Sequence, residues 1–422
     1  MRRAVVVTVD GLRRDMISPE ATPHLSRLAA EAEQFANYRT VFPSCTRVVS
    51  ASLATGCFPA RHGLQGNSVA LLENGELVLR DAGHPDFLQY KRRVTGRSLA
   101  MPTLAERVKD HGGAIIFSNV SPGAAYTHDP DGHGHVYHRA GSFAPGRRPV
   151  GDQDHLDVTL DVAGDRRMTE RFVSEVLEQR RPPVAVLWMG EPDHIQHETV
   201  LGSPEHLAVL AQADAHVGLV VEAVSRLRAG GDDVLLFVGS DHGHQTVEGV
   251  IDVNAELISA GLKASETSGD IIAVSNGTSA LIYVRPDQAG KLPELDSFLR
   301  RCDWAGRVIG PDQLASFGQA PEACLAFAVS MRESDAPNAF GVRGASLAAR
   351  PAFGKPDRLG CGQHGGLGKY EQSPFMMISG PGFSVGTIRE APACVVDVAP
   401  TVLAHLGLPW ADVDGKPLQR GR

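Results

Sequence analysis

The chain has 422 residues, of which 42% are apolar, so it can bury a sizeable core as one large domain with an insertion or as two medium domains. Its formal net charge is -8 and it contains no long basic run, which excludes a surface built to neutralise nucleic acid or an anionic membrane. We therefore expect a soluble protein that acts on a small molecule, with no nucleic-acid polymer and no membrane as a partner; the sequence does not predict the oligomeric state.

The predicted elements begin with an apolar run at residues 4–9, which we interpret as a buried strand. Arg2 and Arg3 precede this run, but Asp10 interrupts it too early for a secretion signal. No stretch approaches the roughly 18 uninterrupted apolar residues of a membrane span. The six cysteines are scattered without CxxC pairs, which favours reduced thiols over a disulfide framework. These features predict a cytoplasmic location.

Short apolar runs rich in Val and Ile alternate with segments of helical spacing along the first half of the chain. This alternation predicts an α/β fold with a mostly parallel sheet between helical layers. The strand runs are residues 4–9, 114–117, 184–189 and 234–238, and the helical patterns are 22–35, 168–179 and 205–227.

The pattern changes after residue 250 and returns near the C-terminus. Shorter strand candidates at 270–275, 280–284 and 323–329, with a helix near 288–300, predict an α+β insertion at 251–355. A strand at 374–379 and a closing helix at 395–406 complete the core, which spans 1–250 and 356–422. Residues 80–165 are rich in Gly, Pro and His, and we expect irregular loops there that form a lid region over one edge of the sheet.

Polar clusters follow three of the predicted strands. Asp10 ends the first strand, Asp193 follows the run at 184–189, and Asp241 follows the run at 234–238. Each residue alone is typical of a helix cap or a turn. Because the carboxyl ends of parallel strands line the ligand crevice of such a sheet, we expect the three carboxylates to converge.

Histidines accompany these carboxylates at spacings that suit metal ligation. Asp193 and His197 are four residues apart, so one helical turn places them on the same face. His242 directly follows Asp241, and Gly243 allows the chain to turn both side chains toward ions. His364 lies beside two glycines and is a further candidate. Asp and His without Cys favour two zinc ions, with manganese as an alternative, but the spacing does not divide the ligands between ions.

The segment around Thr46 resembles the nucleophile motif of the nucleotide pyrophosphatase/phosphodiesterase branch of the alkaline phosphatase superfamily. Thr46 lies nine residues before the pair Thr55-Gly56, and Pro59 and His62-Gly63 follow in the pattern Pro-x-x-His-Gly. The resemblance continues in the family's order through every motif that carries chemistry, while the loops at 80–165 and the insertion match nothing in it. These motifs are Asp10-Gly11, Asn67, Asp193 to His197, Asp241-His242-Gly243 and His364-Gly365.

The resemblance implies an alkaline phosphatase-like core. It also implies a metal-dependent hydrolase that cleaves phosphodiester or pyrophosphate bonds of small, nucleotide-like substrates through a phosphothreonine intermediate on Thr46. It implies that Asn67 donates a hydrogen bond to a phosphate oxygen. It also implies how the ligands divide: Asp193, His197 and His364 hold one zinc ion, and Asp10, Asp241, His242 and the Thr46 oxygen hold the other.

The sequence departs from the family pattern after the nucleophile, where Arg47-Val48-Val49 replaces Phe-Pro-Asn. Arg47 either binds phosphate, which would favour a dianionic monoester, or is a salt-bridged helix residue that points away. Thr-dependent monoesterases and phosphonoacetate hydrolases of the superfamily usually add a Lys-x-Lys or Lys-x-Arg pair. Residues 91–93 offer such a pair, but their position favours a solvated loop. A phosphomonoesterase or phosphonoacetate hydrolase is therefore the alternative activity, and an inert metal-binding protein is the alternative from another class.

Two further features have simpler interpretations. The histidines at 128, 133, 135 and 138 lie in a glycine-containing segment without regular spacing, which predicts a solvated loop and leaves a substrate lid or a third metal site as alternatives. Cys45 precedes Thr46, but the Cys-x-Pro-x-Arg motif of sulfatases is absent. A serine hydrolase is also disfavoured, because no Gly-x-Ser-x-Gly elbow occurs.

Overall fold

The computed structural model describes residues 1–420. The strands, in chain order, are β1 (Arg2–Val9), β2 (Glu33–Phe35), β3 (Tyr38–Arg39), β4 (Ser68–Glu73), β5 (Glu76–Asp81), β6 (Ala114–Ser118), β7 (His135–Tyr137), β8 (Phe143–Ala144), β9 (Arg148–Pro149), β10 (Val184–Met189), β11 (Asp233–Gly239), β12 (Gln245–Ile251), β13 (Ile271–Ser275), β14 (Ser279–Val284), β15 (Ala305–Ile309), β16 (Leu325–Met331), β17 (Glu333–Pro337), β18 (Arg343–Ala349), β19 (Gly362–Gln363), β20 (Met376–Ser379), β21 (Thr387–Arg389) and β22 (Ala393–Cys394).

The α-helices, in chain order, are α1 (Pro23–Glu31), α2 (Thr46–Thr55), α3 (Pro59–His62), α4 (Phe87–Thr95), α5 (Leu104–Arg107), α6 (Pro122–Thr127), α7 (Val162–Arg171), α8 (Asp193–Gln196), α9 (Pro204–Ala229), α10 (Val253–Ser259), α11 (Leu292–Leu299) and α12 (Val398–Leu406). A π-helix, Phe172–Arg180, continues α7. The short 3-10 helices are Arg14–Met16, Lys109–His111, Pro286–Lys291, Leu314–Phe317, Glu322–Cys324 and Val395–Asp397.

A mostly parallel sheet forms the centre of this α/β protein, as the sequence predicted. Its strand order is β21-β2-β20-β11-β1-β10-β6-β7-β8-β9. The five central strands, from β11 to β7, run parallel. Strands β1 and β10 are buried on both faces, because residues of alternating orientation contact helices on opposite sides of the sheet. Val5 and Val7 pack with α1 and α9, whereas Val6 packs with α2 and α12.

The parallel register places three strand ends at one edge. Thr8 of β1 is paired with Trp188 of β10 and with Gly239 of β11, so all three strands end at the same level. The residues that follow these strand ends therefore lie close to one another. They are Asp10, Asp193 and Asp241. This edge is where the candidate site lies.

Two four-stranded sheets lie outside the central sheet, in the orders β13-β14-β16-β15 and β17-β18-β12-β19. They share a separate hydrophobic cluster that includes Leu257, Ile282, Leu299 and Val329. The predicted insertion at 251–355 contains most of these strands, but its first boundary falls at the end of β12. The predicted division of the chain into a core and an insertion stays a prediction.

Several predicted elements change type along their length. The helix predicted at 22–35 ends at Glu31, because Ala32 is extended and Glu33–Phe35 pairs with β20 and β21 as strand β2. The helix predicted at 288–300 is a 3-10 helix before it becomes α11, whose Pro293 lies in the first turn, where a missing N–H costs nothing.

The segment 80–165 is more regular than the predicted loops. Besides β6, which the run at 114–117 predicted, it contains helix α4 and the short strands β7, β8 and β9. Helix α4 forms because Phe87, Leu88 and Lys91 share a face that is buried against the core. The prediction of irregular loops is therefore wrong for α4 and for β7 to β9, which are too short to show a clear periodicity in the sequence.

Helix α9 is long and apolar enough to cross a membrane by length and composition, and half of its apolar window is buried inside the protein. Leu210, Val217 and Val224 pack in the cluster on one face of the central sheet. This packing is that of a core helix.

Candidate active site

Three histidines and three carboxylates meet at the carboxyl edge of the central sheet. They form two groups, and within each group the potential ligand atoms lie within 4.8 Å of one another. One group is Asp10, Asp241 and His242, and the other is Asp193, His242, His244 and His364. The structure thus brings together side chains that are as much as 354 residues apart in the sequence, from Asp10 to His364.

The first group surrounds the Nε2 atom of His242. This atom lies 3.0 Å from Asp241 Oδ2 and 3.5 Å from Asp10 Oδ1. The second oxygen of each carboxylate is held from behind: Trp188 Nε1 donates to Asp10 Oδ2 at 2.9 Å, and the Gly11 N–H donates to Asp241 Oδ1 at 3.0 Å. Asp10 Oδ1 is buried and has no hydrogen-bond donor among the described residues. The group therefore presents oriented acceptor atoms to one point.

Two histidines that face Asp193, namely His364 of the second group and the neighbouring His197, are oriented through the backbone. His197 Nδ1 donates to the Gly362 carbonyl at 3.0 Å, and His364 Nδ1 donates to the Ser44 carbonyl at 2.6 Å. These bonds leave both Nε2 atoms as acceptors that face Asp193, at 3.5 Å for His197 and 3.6 Å for His364. A histidine whose other nitrogen donates to a carbonyl is the usual form of a metal ligand.

His244 belongs to the second group, although we did not predict it. Its ring is fully buried, and its Nε2 atom lies 2.7 Å from Asp193 Oδ1. Only Gly243 separates it from His242 in the sequence. That spacing was the available signal, because a glycine between two histidines lets both rings turn to the same side.

The charges of the site favour a bound cation. Burial and the neighbouring carboxylates of Asp241 and Asp193 raise the pKa of Asp10 well above its ordinary value. Burial lowers the pKa of His197 to about 3, and it also lowers the pKa of His364 well below its ordinary value, so both rings are neutral. Crowded acids beside neutral imidazoles are a donor set that a divalent cation neutralises, and the absence of cysteine from it fits zinc. The residues present therefore fit a metal centre.

Thr46 lies beside the first group at the start of α2. Its Oγ1 atom is 3.1 Å from His242 Nε2, and the residue is 8% exposed to the cavity in front of it. Asn67 lies next to Thr46. The side-chain oxygen of Asn67 accepts a hydrogen bond from the backbone N–H of Arg47 at 3.1 Å. Its backbone N–H donates to Asn276 Oδ1 at 2.6 Å. With Oδ1 engaged, the donor end of the Asn67 amide is left for another partner.

Arg47 points into the same cavity. Its guanidinium lies against the backbone of Gly83, where any Cβ would collide with Arg47 Nη2. Its charge helps to lower the pKa of Asp81, although burial opposes that shift, and its Nε atom is buried without a partner. Of the two alternatives for Arg47, the structure supports the cation that faces the site, since no ion pair within 4 Å holds it elsewhere in the described chain.

A cavity of about 470 Å³ opens in front of these residues. Three segments wall it: Val120 to Pro122 with Arg139 on one side, Asn67 to His84 on another, and Ser275 to Gly277 with the loop at 348–358 on the third. Residues 91–93 take no part in it. They lie on α4 rather than in a solvated loop, and Lys91 is buried, with its Nζ donating to the Ser98 carbonyl at 3.0 Å.

The histidines at 128, 133, 135 and 138 do not form the predicted solvated loop. His128 packs edge-on against Trp188 with ring centroids 5.4 Å apart, and His138 Nε2 donates to the Val120 carbonyl at 2.9 Å. Both rings are buried because this segment folds onto the ends of β6 and β10. Among the described residues, these four side chains do not group as metal ligands.

Comparisons with known proteins agree with the fold. A family model described as type I phosphodiesterase / nucleotide pyrophosphatase matches residues 4–350. A search of curated proteins finds no match. Murine ectonucleotide pyrophosphatase / phosphodiesterase 5 has a TM-score of 0.70 and 18% identity, covering 98% of each chain.

Two further structures are similar to the same extent. The inactive threonine-to-alanine form of the murine protein, in complex with AMP, has a TM-score of 0.70 and 18% identity and covers 99% of this chain and 98% of its own. The human protein has a TM-score of 0.68 and 15% identity and covers 98% of this chain and 97% of its own. At these identities the structures share the fold with this chain.

Proposed function

The chain belongs to the type I phosphodiesterase / nucleotide pyrophosphatase family, and we propose that it hydrolyses phosphodiester or pyrophosphate bonds of small, nucleotide-like substrates through a phosphothreonine intermediate on Thr46. Members of this family are hydrolases of phosphoric ester bonds, so the chain is such an enzyme. One observation carries the finer proposal: Thr46 Oγ1 lies 3.1 Å from His242 Nε2, beside the group that contains Asp10 and Asp241.

We assign the metal-holding residues as the family resemblance implies, and the two groups support this assignment for every residue except His197, which lies beside the second group. Asp10, Asp241 and His242, with the Thr46 oxygen, would hold one divalent cation, and Asp193, His197 and His364 would hold the other. Zinc suits these ligands best, with manganese as the alternative. Two bound cations would lower the pKa of the threonine hydroxyl and stabilise the charge that develops on the leaving oxygen.

The reaction is then a double displacement. Thr46 Oγ1 forms a bond to phosphorus as the bond to the leaving oxygen breaks on the opposite side, and the leaving group departs with the electron pair. Water attacks the phosphothreonine next, so the phosphoryl product leaves and the hydroxyl of Thr46 is restored. The free donor end of the Asn67 amide and the guanidinium of Arg47 would bind the non-bridging phosphate oxygens, which gain charge in the transition state.

A relative offers independent support. The murine protein is inactive when a threonine is replaced by alanine, and that form was solved with AMP. Transferred to this chain, the same roles fall to Thr46 and to the cavity in front of it. A nucleoside monophosphate product is what a nucleotide pyrophosphatase releases from its intermediate.

The test is a substrate panel on the zinc-loaded protein, with Thr46→Ala and Thr46→Ser. We expect thymidine monophosphate p-nitrophenyl ester and bis-p-nitrophenyl phosphate to be cleaved, Thr46→Ala to lose at least about a thousandfold in kcat, and Thr46→Ser to keep part of the activity. Acid quenching should trap a phosphoryl group on the peptide that contains Thr46. Equal hydrolysis by wild type and Thr46→Ala would support the inert metal-binding alternative instead.

The same panel decides between the two activities. The cavity position of Arg47 is the observation that favours a monoesterase or phosphonate hydrolase, whereas the burial of Lys91 outside the cavity opposes the lysine pair of those enzymes. Cleavage of p-nitrophenyl phosphate or phosphonoacetate alone would make the phosphodiesterase proposal wrong.

We also propose that the protein acts in the cytoplasm. All six cysteines are free thiols, and Cys45 and Cys57 are buried. Titration of six thiols in freshly prepared protein, together with its recovery from the cytoplasmic fraction of its own cells, is the expected result. Recovery from the medium would overturn this proposal.

A further inference from the structure

The wall of the cavity beyond Asp193 carries an arginine that the reaction described above does not use. Arg139 lies in the turn after β7 and lines the cavity. One of its nitrogens, Nη1, donates to Asn119 Oδ1 and to the Val120 carbonyl, each at 2.9 Å. Its Nε and Nη2 atoms have no acceptor in the described chain, so three N–H groups remain for a ligand.

A buried network fixes this guanidinium. The Asn119 side chain, whose oxygen binds Arg139, donates through Nδ2 to Asp165 Oδ1 at 2.9 Å. Asp165 is fully buried, and its other oxygen accepts from the Glu191 backbone N–H at 2.9 Å. An arginine held in this way loses little side-chain entropy when it binds an anion. The arrangement is thus a preformed anion site rather than a mobile surface charge.

The strand order shows which part of a substrate Arg139 meets. Asp241, Asp10, Asp193 and Asn119 follow β11, β1, β10 and β6, which are consecutive in the sheet. Thr46 contacts His242 at the first end of this row, and Arg139 is bound to Asn119 at the last. Neighbouring strands lie about 4.8 Å apart, so the row spans roughly 14 Å. Because the leaving group departs opposite the nucleophile, a substrate that lies along this row would direct its leaving group toward Arg139.

The rest of the cavity wall agrees with an anionic occupant. Apart from the metal-site residues, its charged side chains are the cations Arg47, Arg139, Lys355 and Arg358 and the acids Asp81 and Asp357. Lys355 is already paired with Asp81 at 2.7 Å. No phenylalanine, tyrosine or tryptophan among the described residues lines the cavity, so the aromatic rings that it offers outside the metal site are those of His84 and His194.

We propose that Arg139 forms a subsite for a second anion on the leaving group, so that the preferred substrates carry a phosphoryl or carboxylate group beyond the scissile phosphorus, as a pyrophosphate does. This inference rests on the proposed function, because it uses the attack direction from Thr46. It makes the charge of the leaving group a determinant of substrate recognition. Substrates with a neutral leaving alcohol would lack this contact.

A matched pair of non-hydrolysable phosphonates tests the subsite by titration calorimetry on the zinc-loaded protein. 3-Phosphonopropionate and propylphosphonate differ only in a carboxylate that replaces a methyl group. We expect the wild type to bind 3-phosphonopropionate at least about tenfold more tightly. Arg139→Met should abolish this preference, and Arg139→Lys should keep part of it because lysine retains the charge without the planar fork.

Two control variants keep the result interpretable. Lys355→Met removes a cavity cation that is already paired with Asp81, and Arg93→Met removes an exposed cation on α4, so both should retain the preference. Equal binding of the two phosphonates by the wild type would overturn the subsite, as would a preference that survives in Arg139→Met with an unchanged circular dichroism spectrum. If Arg139→Met fails to fold, Arg139→Lys decides, and an undiminished preference there counts against the subsite.

The failure of this inference is separable from failure of the proposed function. The titration requires no turnover, so an enzyme that cleaves no phosphodiester still reports the carboxylate preference. Conversely, efficient hydrolysis with equal phosphonate binding would leave the proposed function standing and remove the subsite alone.

Discussion

His244 Nε2 lies 2.7 Å from Asp193 Oδ1, with both groups inside the cluster that contains His364. Because His244 is fully buried, this contact fixes the orientation of the Asp193 carboxylate. We predict that His244→Leu lowers zinc affinity about 10- to 100-fold, because Asp193 loses the partner that orients it. Competition with a chromogenic chelator measures the affinity.

The companion variants are His244→Gln, which keeps a donor and should recover part of the affinity, and His111→Leu, which alters an exposed histidine and should change nothing. Chelator competition curves that coincide for the wild type and His244→Leu would show that Asp193 needs no such support.

Glu371 joins the nucleophile segment to the loop that carries His364. Its buried carboxylate accepts hydrogen bonds from Ser44 Oγ at 3.1 Å, from Thr278 Oγ1 at 2.6 Å and from the Gly366 backbone N–H at 2.8 Å. In Glu371→Ala, Ser44 Oγ and the Gly366 N–H keep second acceptors, but the Thr278 hydroxyl and the Gly368 N–H lose theirs in a buried setting. We therefore predict a loss of about 3–5 kcal/mol of unfolding free energy. Urea denaturation at neutral pH measures this loss.

The same variant should also weaken zinc binding. The carbonyl of Ser44 orients His364 Nδ1, and the side chain of Ser44 is held in place by its hydrogen bond to Glu371. Glu248→Ala, at an exposed position of β12, is the control and should leave both stability and zinc affinity unchanged. A destabilised Glu371→Ala protein with wild-type zinc affinity would limit the residue to a structural role.

The central strands could be predicted from the sequence because each is a continuous apolar run that both faces of the sheet bury. Val184–Met189 is the example, since its predicted and observed bounds coincide. Strand β2 could not be predicted: its three residues gain their strand conformation from pairing with β20 and β21, which come more than 340 residues later. Local periodicity carries no information about such pairing.

The residues of the site differ in the same way. Asp10, Asp193 and Asp241 follow long buried strands, so their approximate position could be inferred, and the structure brings them together. The position of Arg139 could not be predicted, because the Asn119 side chain and the Val120 carbonyl that hold its guanidinium lie about 20 residues earlier in a stretch without a recognisable motif. Glu371 likewise depends on a loop whose shape no periodicity records. The roles of the seven predicted ligands stay predictions.

Removal of metal should reveal the repulsion between the acids of the site. Burial and the carboxylates of Asp241 and Asp193 raise the pKa of Asp10, so its charge destabilises the metal-free protein at neutral pH. We predict that a chelator lowers the Tm of the wild type and that zinc restores it. In Asp10→Asn, the metal-free Tm should rise and the zinc-dependent increase should shrink, because the repulsion and a ligand are lost together.

Differential scanning calorimetry with and without chelator measures both effects. The Trp188 indole can still donate to the amide oxygen of Asp10→Asn, which makes the change nearly isosteric. A metal-free Asp10→Asn protein that melts below the metal-free wild type would contradict the electrostatic account of the site.

His62 gives the protein a pH dependence that is separate from metal binding. Its ring is fully buried; Nδ1 accepts from the Leu64 N–H at 3.1 Å, and Nε2 donates to Ser52 Oγ at 3.0 Å. Burial, with a smaller effect from the charge of Lys91, lowers the pKa of His62 to about 3.

The stability that the neutral His62 ring contributes is therefore present above the unfolded-state pKa near 6.5. It is lost as the pH falls from there toward 3, because the unfolded chain binds a proton that the folded chain does not bind. Between pH 6.5 and 5 this loss amounts to about 2 kcal/mol of unfolding free energy. In urea denaturation, the unfolding free energy of His62→Asn should therefore fall less steeply with decreasing pH than that of the wild type. The control His111→Asn, at an exposed site, should follow the wild type. Parallel declines for all three proteins would mean that His62 is protonated in the folded state as readily as in the unfolded chain.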